Sequence, residues 1–537
     1  MSLRIALVSA ALCTVLVAPL WAASNYDIVI LNGRVIDPET RLDAVRNVGI
    51  RDGVIAKISK RKLRGNRVIE AKNLIVAPGF IDTHNHGSVT LHGGKLSLRN
   101  GVTTSMDLEA GAMNIASWYQ EREAKWPLNY GTTVSQEFSR AVVLDSFEQD
   151  SLRDMRDFSH MRGTAGDDGE SSWSTHVATV DEMNQILRLL DQGLVEGAIG
   201  IGALLGYGSN GITSREMYET QRTAAQYGRI TSVHTRFAST TPPTEFSIGG
   251  AEVLWNAFLL DAPMLLNHFN INSWPLIQEM LVKARERGMN VWGEVYPYTS
   301  GSTSVGADFL DPDQWTKNFG PPEKTILDPQ TGKFLSRDEL ITARRETPGM
   351  IIIGYLRPEE WVVPWLQLEG VAIAGDGMLA EDDQGELLAW DAPFTEGAFH
   401  PRTAGTQGRV LRLARENELS WLHIISMLSY TPAKHLGAAG LQSMQQRGRM
   451  QEGMVADITV FNPETVTDNA TFTKGENGLP STGIPYVLVN GQLVVDRSTV
   501  LPSLFPGQAI RYPVEKNSRF KPLLDEGNWV LKSKHPH

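Results

Sequence analysis

Apolar residues along this chain follow two rhythms. From Tyr26 to about Ala71 they come in short alternating runs, Asp-Ile-Val-Ile-Leu-Asn-Gly-Arg-Val-Ile-Asp and then Asn-Val-Gly-Ile-Arg-Asp-Gly-Val-Ile-Ala-Lys-Ile. Asn32-Gly33 and Asp52-Gly53 interrupt them, and such pairs form tight hairpin turns because both residues accept positive φ. The same texture returns after Gly448, in Ala-Asp-Ile-Thr-Val-Phe-Asn-Pro and in Tyr-Val-Leu-Val-Asn-Gly-Gln-Leu-Val-Val-Asp. This predicts one small β domain built from both ends of the chain, residues 24–75 and 448–510, with a second domain, 76–447, inserted between them and a tail at 511–537.

In the inserted part the rhythm changes to apolar or β-branched runs separated by helical patterns, which implies a parallel sheet. Eight runs stand out, at 76–83, 101–108, 130–137, 197–205, 229–235, 263–268, 290–296 and 371–375. Eight strands alternating with helices close a (β/α)8 barrel. Helix signals fall in the gaps: Thr179 with Glu182 and Thr213 with Glu216 have capping-box spacing, while Ser273 before Trp-Pro and Gly288 after Glu-Arg bracket a third helix. The polar, turn-rich stretch 300–349 breaks the alternation just after a strand, where an insertion forms either a lid over the active site or a passive surface excursion.

Residues 1–23 carry one positive charge, Arg4, ahead of an apolar run that ends in small residues. This is the pattern of a secretory leader, cleaved after Ala22 or Ala23, and it predicts a secreted or periplasmic protein. An uncleaved anchor is the competing reading, and the run is near the lower length limit for a spanning helix. The single cysteine, Cys13, lies inside this segment, so the mature chain would hold any metal by imidazole and carboxylate rather than thiolate. With 42% apolar and 21% charged residues the rest reads as an ordinary globular fold. A net charge of -11 argues against nucleic acid and against an anionic membrane surface as partners, and if a small-molecule substrate is an anion, local arginines must bind it.

The candidate chemistry sits at strand ends. The first run ends in His84-Asn85-His86, and side chains two apart on a strand share a face, so both imidazoles can grip one metal ion. His234 ends Arg-Ile-Thr-Ser-Val-His, His268 ends Pro-Met-Leu-Leu-Asn-His, and Asp376 follows Val-Ala-Ile-Ala-Gly. The C-terminal ends of barrel strands converge at one mouth, and imidazole with carboxylate suits zinc. His84 and His86 with Asp376 would hold one ion, and His234 with His268 a second. Asp107 and Glu109 are candidates for a bridging carboxylate, with Glu109 preferred at the strand end. His92, His160, His423 and His435 lie outside strand ends and read as structural or surface residues.

Taken together, Ala-Pro-Gly-Phe-Ile-Asp-Thr-His-Asn-His, Val-His-Thr-Arg, Leu-Asn-His-Phe, Tyr-Pro-Tyr-Thr-Ser-Gly-Ser-Thr, Gly-Asp-Gly and His-Pro-Arg resemble the amidohydrolase superfamily, and within it the D-aminoacylases, the N-acyl-D-amino-acid deacylases. The resemblance spans residues from about 27 to 505. It implies a barrel flanked by a β-sandwich, one or two zinc ions, an activated water and hydrolysis of a linear amide. It further implies that Asp376 shuttles the proton from water to the leaving amine, that Arg402 binds the substrate α-carboxylate, and that Tyr298 and Ser304 supply other polar contacts. Two positions depart from the pattern. Ala110 stands where many of these enzymes place a metal-binding cysteine, with Glu109 beside it, and Asn270 replaces a lysine that often follows the second strand-end histidine. Arg236, two residues beyond His234, is a candidate reader of a second anionic group such as a D-glutamate or D-aspartate side chain; an inter-strand salt bridge is the alternative. Within the same chemistry a cyclic-amide hydrolase or dipeptidase is the competing reading, disfavoured by the lack of a lysine in Gly-Ala-Ile-Gly-Ile-Gly-Ala-Leu-Leu-Gly. A deaminase fits Arg402 poorly, and a non-catalytic scaffold fits poorly with the complete set of metal ligands.

Overall fold

A computed structural model describes residues 26–163, 171–208, 210–236, 246–382 and 384–524. The expected leader with Cys13 and its cleavage site lies outside the described residues, as does the end of the expected tail. Among the described residues no helix is long and apolar enough to cross a membrane.

The N-terminal alternation forms β1 (Tyr26–Asp37), β2 (Leu42–Arg51), β3 (Val54–Ser59), β4 (Gly65–Glu70) and β5 (Ile75–Pro78). β6 (Phe80–Asp82), β7 (Val102–Ala112), β8 (Asn129–Ser135), β9 (Gly200–Ala203), β10 (Ile230–Val233), β11 (Met264–Leu266) and β12 (Val291–Val295) follow as barrel strands. β13 (Ser300–Ser304), β14 (Ile326–Asp328), β15 (Lys333–Phe334) and β16 (Ile351–Tyr355) form the insertion, β17 (Val371–Ile373) completes the barrel, and β18 (Ile458–Phe461), β19 (Tyr486–Val489), β20 (Gln492–Asp496) and β21 (Thr499–Val500) return to the first domain.

The two chain ends share one nine-stranded sheet, ordered β21-β20-β19-β18-β5-β1-β2-β3, with β4 branching from β1. The branch arises because the first half of β1 pairs with β4 and the second half with β5. Ile30, Val48, Ile50, Val76, Ile458 and Leu488 belong to its buried core, which draws on both chain ends.

All eight barrel strands form where the eight apolar runs lie, in the parallel order β6-β7-β8-β9-β10-β11-β12-β17. The circle closes without a full ladder between β17 and β6. Instead the Asp376 amide donates to the His84 carbonyl at 2.6 Å, and Asn85 bridges Gly377. Alternation sends Ile81, Ile230, Leu265, Trp292 and Ala372 into the barrel, where they meet Leu436, Leu441 and Met444 from helices that plug its lower end. Thr179 and Glu182 form the expected capping box, and Thr213 caps the next helix, although Glu216 is spent on Arg140 in a buried pair at 2.5 Å.

Three boundaries differ from the sequence reading. The apolar run 76–83 is not one strand: β5 belongs to the nine-stranded sheet, and β6 opens the barrel after a break at Gly79, where a Cβ would collide with Thr103. The first β segment therefore reaches Pro78 rather than residue 75. From Leu501 the chain leaves that sheet and lies along the barrel, with Ala509 bridging Tyr130 and Ile510 inside the barrel core. The expected tail continues along the barrel helices, the Tyr512 amide donating to Gly197 and the Glu515 amide to Val195. The insertion runs to Tyr355 rather than 349 and is a folded unit: an antiparallel sheet, β13-β16-β14-β15, with a core of Val305, Leu310, Trp315, Ile326, Leu340 and Ile352.

Candidate metal centre and its cavity

Strand parity builds the centre in tiers. Above the apolar tier of Trp292 and Leu265, the next inward positions on the same strands are Glu294 and Asn267. Glu294 is fully buried and accepts from Thr83 at 2.7 Å, from Asn267 at 2.8 Å and from His84 Nδ1 at 2.7 Å. His86 Nδ1 meets Asp107 at 2.8 Å, and Asp107 in turn caps the Ala110 amide. A carboxylate on one ring nitrogen fixes the proton there and aims the other nitrogen's lone pair outward.

The two aimed nitrogens, His84 Nε2 and His86 Nε2, lie 3.0 Å apart. Glu109 Oε2 is 3.1 Å from the first and 3.4 Å from the second, while Asp376 Oδ1 is 3.3 and 3.6 Å away. The other oxygen of Glu109 faces the opposite side, 3.1 Å from His234 Nδ1 and 2.9 Å from His268 Nε2. Glu109 thus stands between two sets of nitrogen donors, as a bridging carboxylate must. Ligand atoms of His84, His86 and Asp376 cluster within 4.8 Å, as do those of His84, Glu109 and His268. Lone pairs converging on common points from buried groups fit a divalent cation, because no neutral hydrogen-bond scheme satisfies all of them.

The electrostatics point the same way. Burial opposes a charged His84, yet Glu109, Asp376 and Glu294 together raise its pKa well above the ordinary value. His86 is raised likewise against its burial, chiefly by Asp107. Against its own burial, Glu109 is lowered well below the usual carboxylate range by His84 and His268, and Asp376 is lowered by Arg402 and His84. His234 is lowered, burial outweighing Glu109. Two donor-bearing residues, Asp376 and His268, sit at positive φ, 48° and 22°. Backbone held there costs about 1–3 kcal/mol per residue and persists only where surrounding structure enforces it.

A cavity of about 1020 Å³, counted to its open mouth, rests on this cluster and is lined by His86, Glu109, His234, His268, Asp376 and Arg402. Arg402 begins the helix Arg402–Glu416 and donates from Nη2 to Asp376 Oδ1 at 2.9 Å. Its Nε and Nη1 are buried and have no protein partner, so the guanidinium keeps unspent donors beside Asp376. Ser304 lines the cavity at the edge of β13, where Arg162 donates to its hydroxyl at 3.4 Å.

Two expected contacts are corrected. Tyr298 does not line the cavity: its ring packs edge-on against His400, and its buried hydroxyl lies beside Gly405. Pro297 turns the chain after β12, and Tyr296 takes the place at the wall, with the Arg402 guanidinium 4.9 Å above its ring and Arg357 donating to its hydroxyl at 3.0 Å. Arg236 does not line the cavity either. Glu252 holds it bidentately at 2.7 and 3.1 Å and the Ile212 carbonyl accepts from it at 3.0 Å, which is the salt-bridge alternative. Sequence reasoning missed Glu294, Tyr296, Arg357 and Tyr207, whose ring lies against His234 at 4.8 Å in the cavity wall. An acidic residue inside the apolar run Val-Trp-Gly-Glu-Val was the available signal for the first.

Comparison with known proteins fits this centre. No family model matches the chain. It is 27% identical over 534 residues to an N-acyl-D-glutamate deacylase of Alcaligenes xylosoxydans xylosoxydans, covering 90% of this chain and 96% of that protein. It is 25% identical over 487 residues to a D-aminoacylase of the same organism, covering 87% and 94%. Over nearly its whole length the chain is thus similar to deacylases of the D-aminoacylase group. Among solved structures of this group, the N-acyl-D-glutamate deacylase of Bordetella bronchiseptica, complexed with zinc and a phosphonate mimic of the tetrahedral intermediate, shares the fold with a TM-score of 0.70 at 22% identity, covering 91% of this chain and all of that one.

Proposed function

We propose that this chain is a zinc-dependent deacylase that hydrolyses the amide bond of N-acyl-D-amino acids, releasing a carboxylate and a free D-amino acid. One arrangement carries the reading. The two-sided cluster around Glu109 and the guanidinium-bearing Arg402 line the same cavity, joined by Asp376. His84, His86 and Asp376 would hold one ion, His234 and His268 a second, and Glu109 would lie between them. Bound zinc lowers the pKa of water from its bulk value to about 7 and polarises an acyl oxygen.

The chain's own residues supply the rest. Arg402 lends its unspent guanidinium donors to the α-carboxylate and so holds the scissile amide over the cluster, by directed N–H groups on a rigid plane that a lysine lacks. Asp376, at the hinge between Arg402 and the histidines, takes the proton of the attacking water and returns it to the departing nitrogen. Its proton affinity is lowest while it alone neutralises Arg402. A substrate carboxylate drawing on the same guanidinium relaxes that depression when the base is needed. Glu294 and Asp107 keep the imidazoles oriented throughout. The relatives' names supply the D configuration, and the leader read in residues 1–23 would place the mature enzyme outside the cytoplasm.

Zinc analysis together with amine release from paired N-acetyl-D and N-acetyl-L amino acids tests the reading. Stoichiometric zinc and release from the D series alone are expected. No release from either series by zinc-loaded protein would overturn it and turn attention to cyclic amides and dipeptides.

A further inference from the structure

The cavity over the metal centre has a neighbour. A second cavity, about 1350 Å³ including its opening, shares Met155, Phe158, Ile351 and Met378 with the first. These four thioether and hydrocarbon side chains are the lining common to both chambers, the neck where the two adjoin. On the near side Leu204, Phe309, Trp315 and Phe319 add apolar wall; on the far side Met350, Leu379, Ala398 and Phe399 do the same, with Gln330 and Gln384 at the polar margin. Charge is segregated: both arginines of the first chamber, Arg402 and Arg357, lie against Tyr296, whereas the ionisable residue among those described in the second chamber's lining is an acid, Glu381.

Resting on the deacylase reading, we propose that the substrates carry a long linear acyl chain, and that this chain threads the neck into the second chamber. Of the two groups that leave the scissile unit, the amino-acid side chain is tethered to the carbon whose carboxylate Arg402 holds, and its length is bounded. The acyl chain has no such bound and is the group able to pass from one chamber to the other. An apolar tunnel gains by removing methylenes from water and gives a short acetyl group nothing beyond the first chamber. Methionines at the neck suit a chain of variable length, because their thioether arms repack readily.

The test uses the zinc-loaded full chain. kcat/KM is measured for one D-amino acid bearing acetyl, hexanoyl, dodecanoyl and hexadecanoyl groups, and dodecanoate binding is followed separately by calorimetry. A rise of about tenfold or more from acetyl to dodecanoyl is expected, each buried methylene contributing. Ala398→Trp, which fills the second chamber, should remove most of that rise, read as the ratio of dodecanoyl to acetyl kcat/KM. Equal rates along the series, or no dodecanoate binding, would overturn the tunnel even in an active deacylase. Dodecanoate binding without amine release from any substrate would overturn the deacylase reading and leave the tunnel standing.

Discussion

On the barrel side of the cavity the polar groups are held several times over: Glu294 by three donors, Glu109 between four imidazoles, Asp376 by Arg402 and by a strained backbone. On the insertion side Phe309, Trp315, Phe319 and Leu356 face the same space and are placed mainly by packing. The first wall is rigid because a misplaced buried charge is costly, whereas the second tolerates exchange because apolar groups demand volume rather than direction. A fold of this kind can keep its chemistry in the strand ends and revise its substrate through the inserted sheet.

Breaking the barrel side should have the largest effect. Asp376→Asn keeps the shape and removes the proton carrier, so kcat should fall by about 10²–10⁴, with zinc content and unfolding temperature measured to show that the centre survives. Glu294→Gln, which touches no substrate, should weaken zinc binding about 10–100-fold, read by chelator competition. Unchanged affinity would show that His84 is oriented without it. On the other wall, Trp315→Ala empties the insertion core and should cost about 3–5 kcal/mol of local stability, visible as earlier unfolding and a raised KM with zinc content unaltered. Loss of zinc would mean the two walls are not independent.

The smallest effects on catalysis come from charges away from both walls. Arg236→Ala should leave the preference between acidic and neutral D-amino acids unchanged, because Glu252 already neutralises that guanidinium. His435, stacked on Trp292 at 4.9 Å beneath the barrel, is lowered to about 3 by burial, with Arg285 adding to it. The folded state therefore binds fewer protons than the unfolded chain between about pH 6.5 and 3. Stability should fall as pH drops through that window, by up to roughly 1.4 kcal/mol per pH unit from this group. His435→Gln should flatten the slope in denaturant titrations at successive pH values.

What the sequence disclosed follows from these differences. Barrel strands and the donors at their ends, His84, His86, Glu109, His234, His268 and Asp376, were readable because a local apolar run followed by a polar residue is a local signal. Glu294 was hidden because its partners Thr83, Asn267 and His84 come from other strands, and Arg236 misled because Glu252 sits on the following helix. Tyr296 and Tyr298 share a parity that Pro297 breaks, so alternation alone chose wrongly between them. The hand-over at Gly79 was invisible for a simpler reason: a strand buried in either sheet has the same apolar texture.

That hand-over also sets a schedule for biosynthesis. β5 lies between β1, made first, and β18, made near the end, and its last residue is six positions from His84. The sheet that anchors the first ligand pair cannot close while the ribosome is still making the barrel, and pairing over such a sequence distance is slow even afterwards. That sheet thus stays incomplete until almost all of the chain exists, and the first ligand pair gains its support only as synthesis ends.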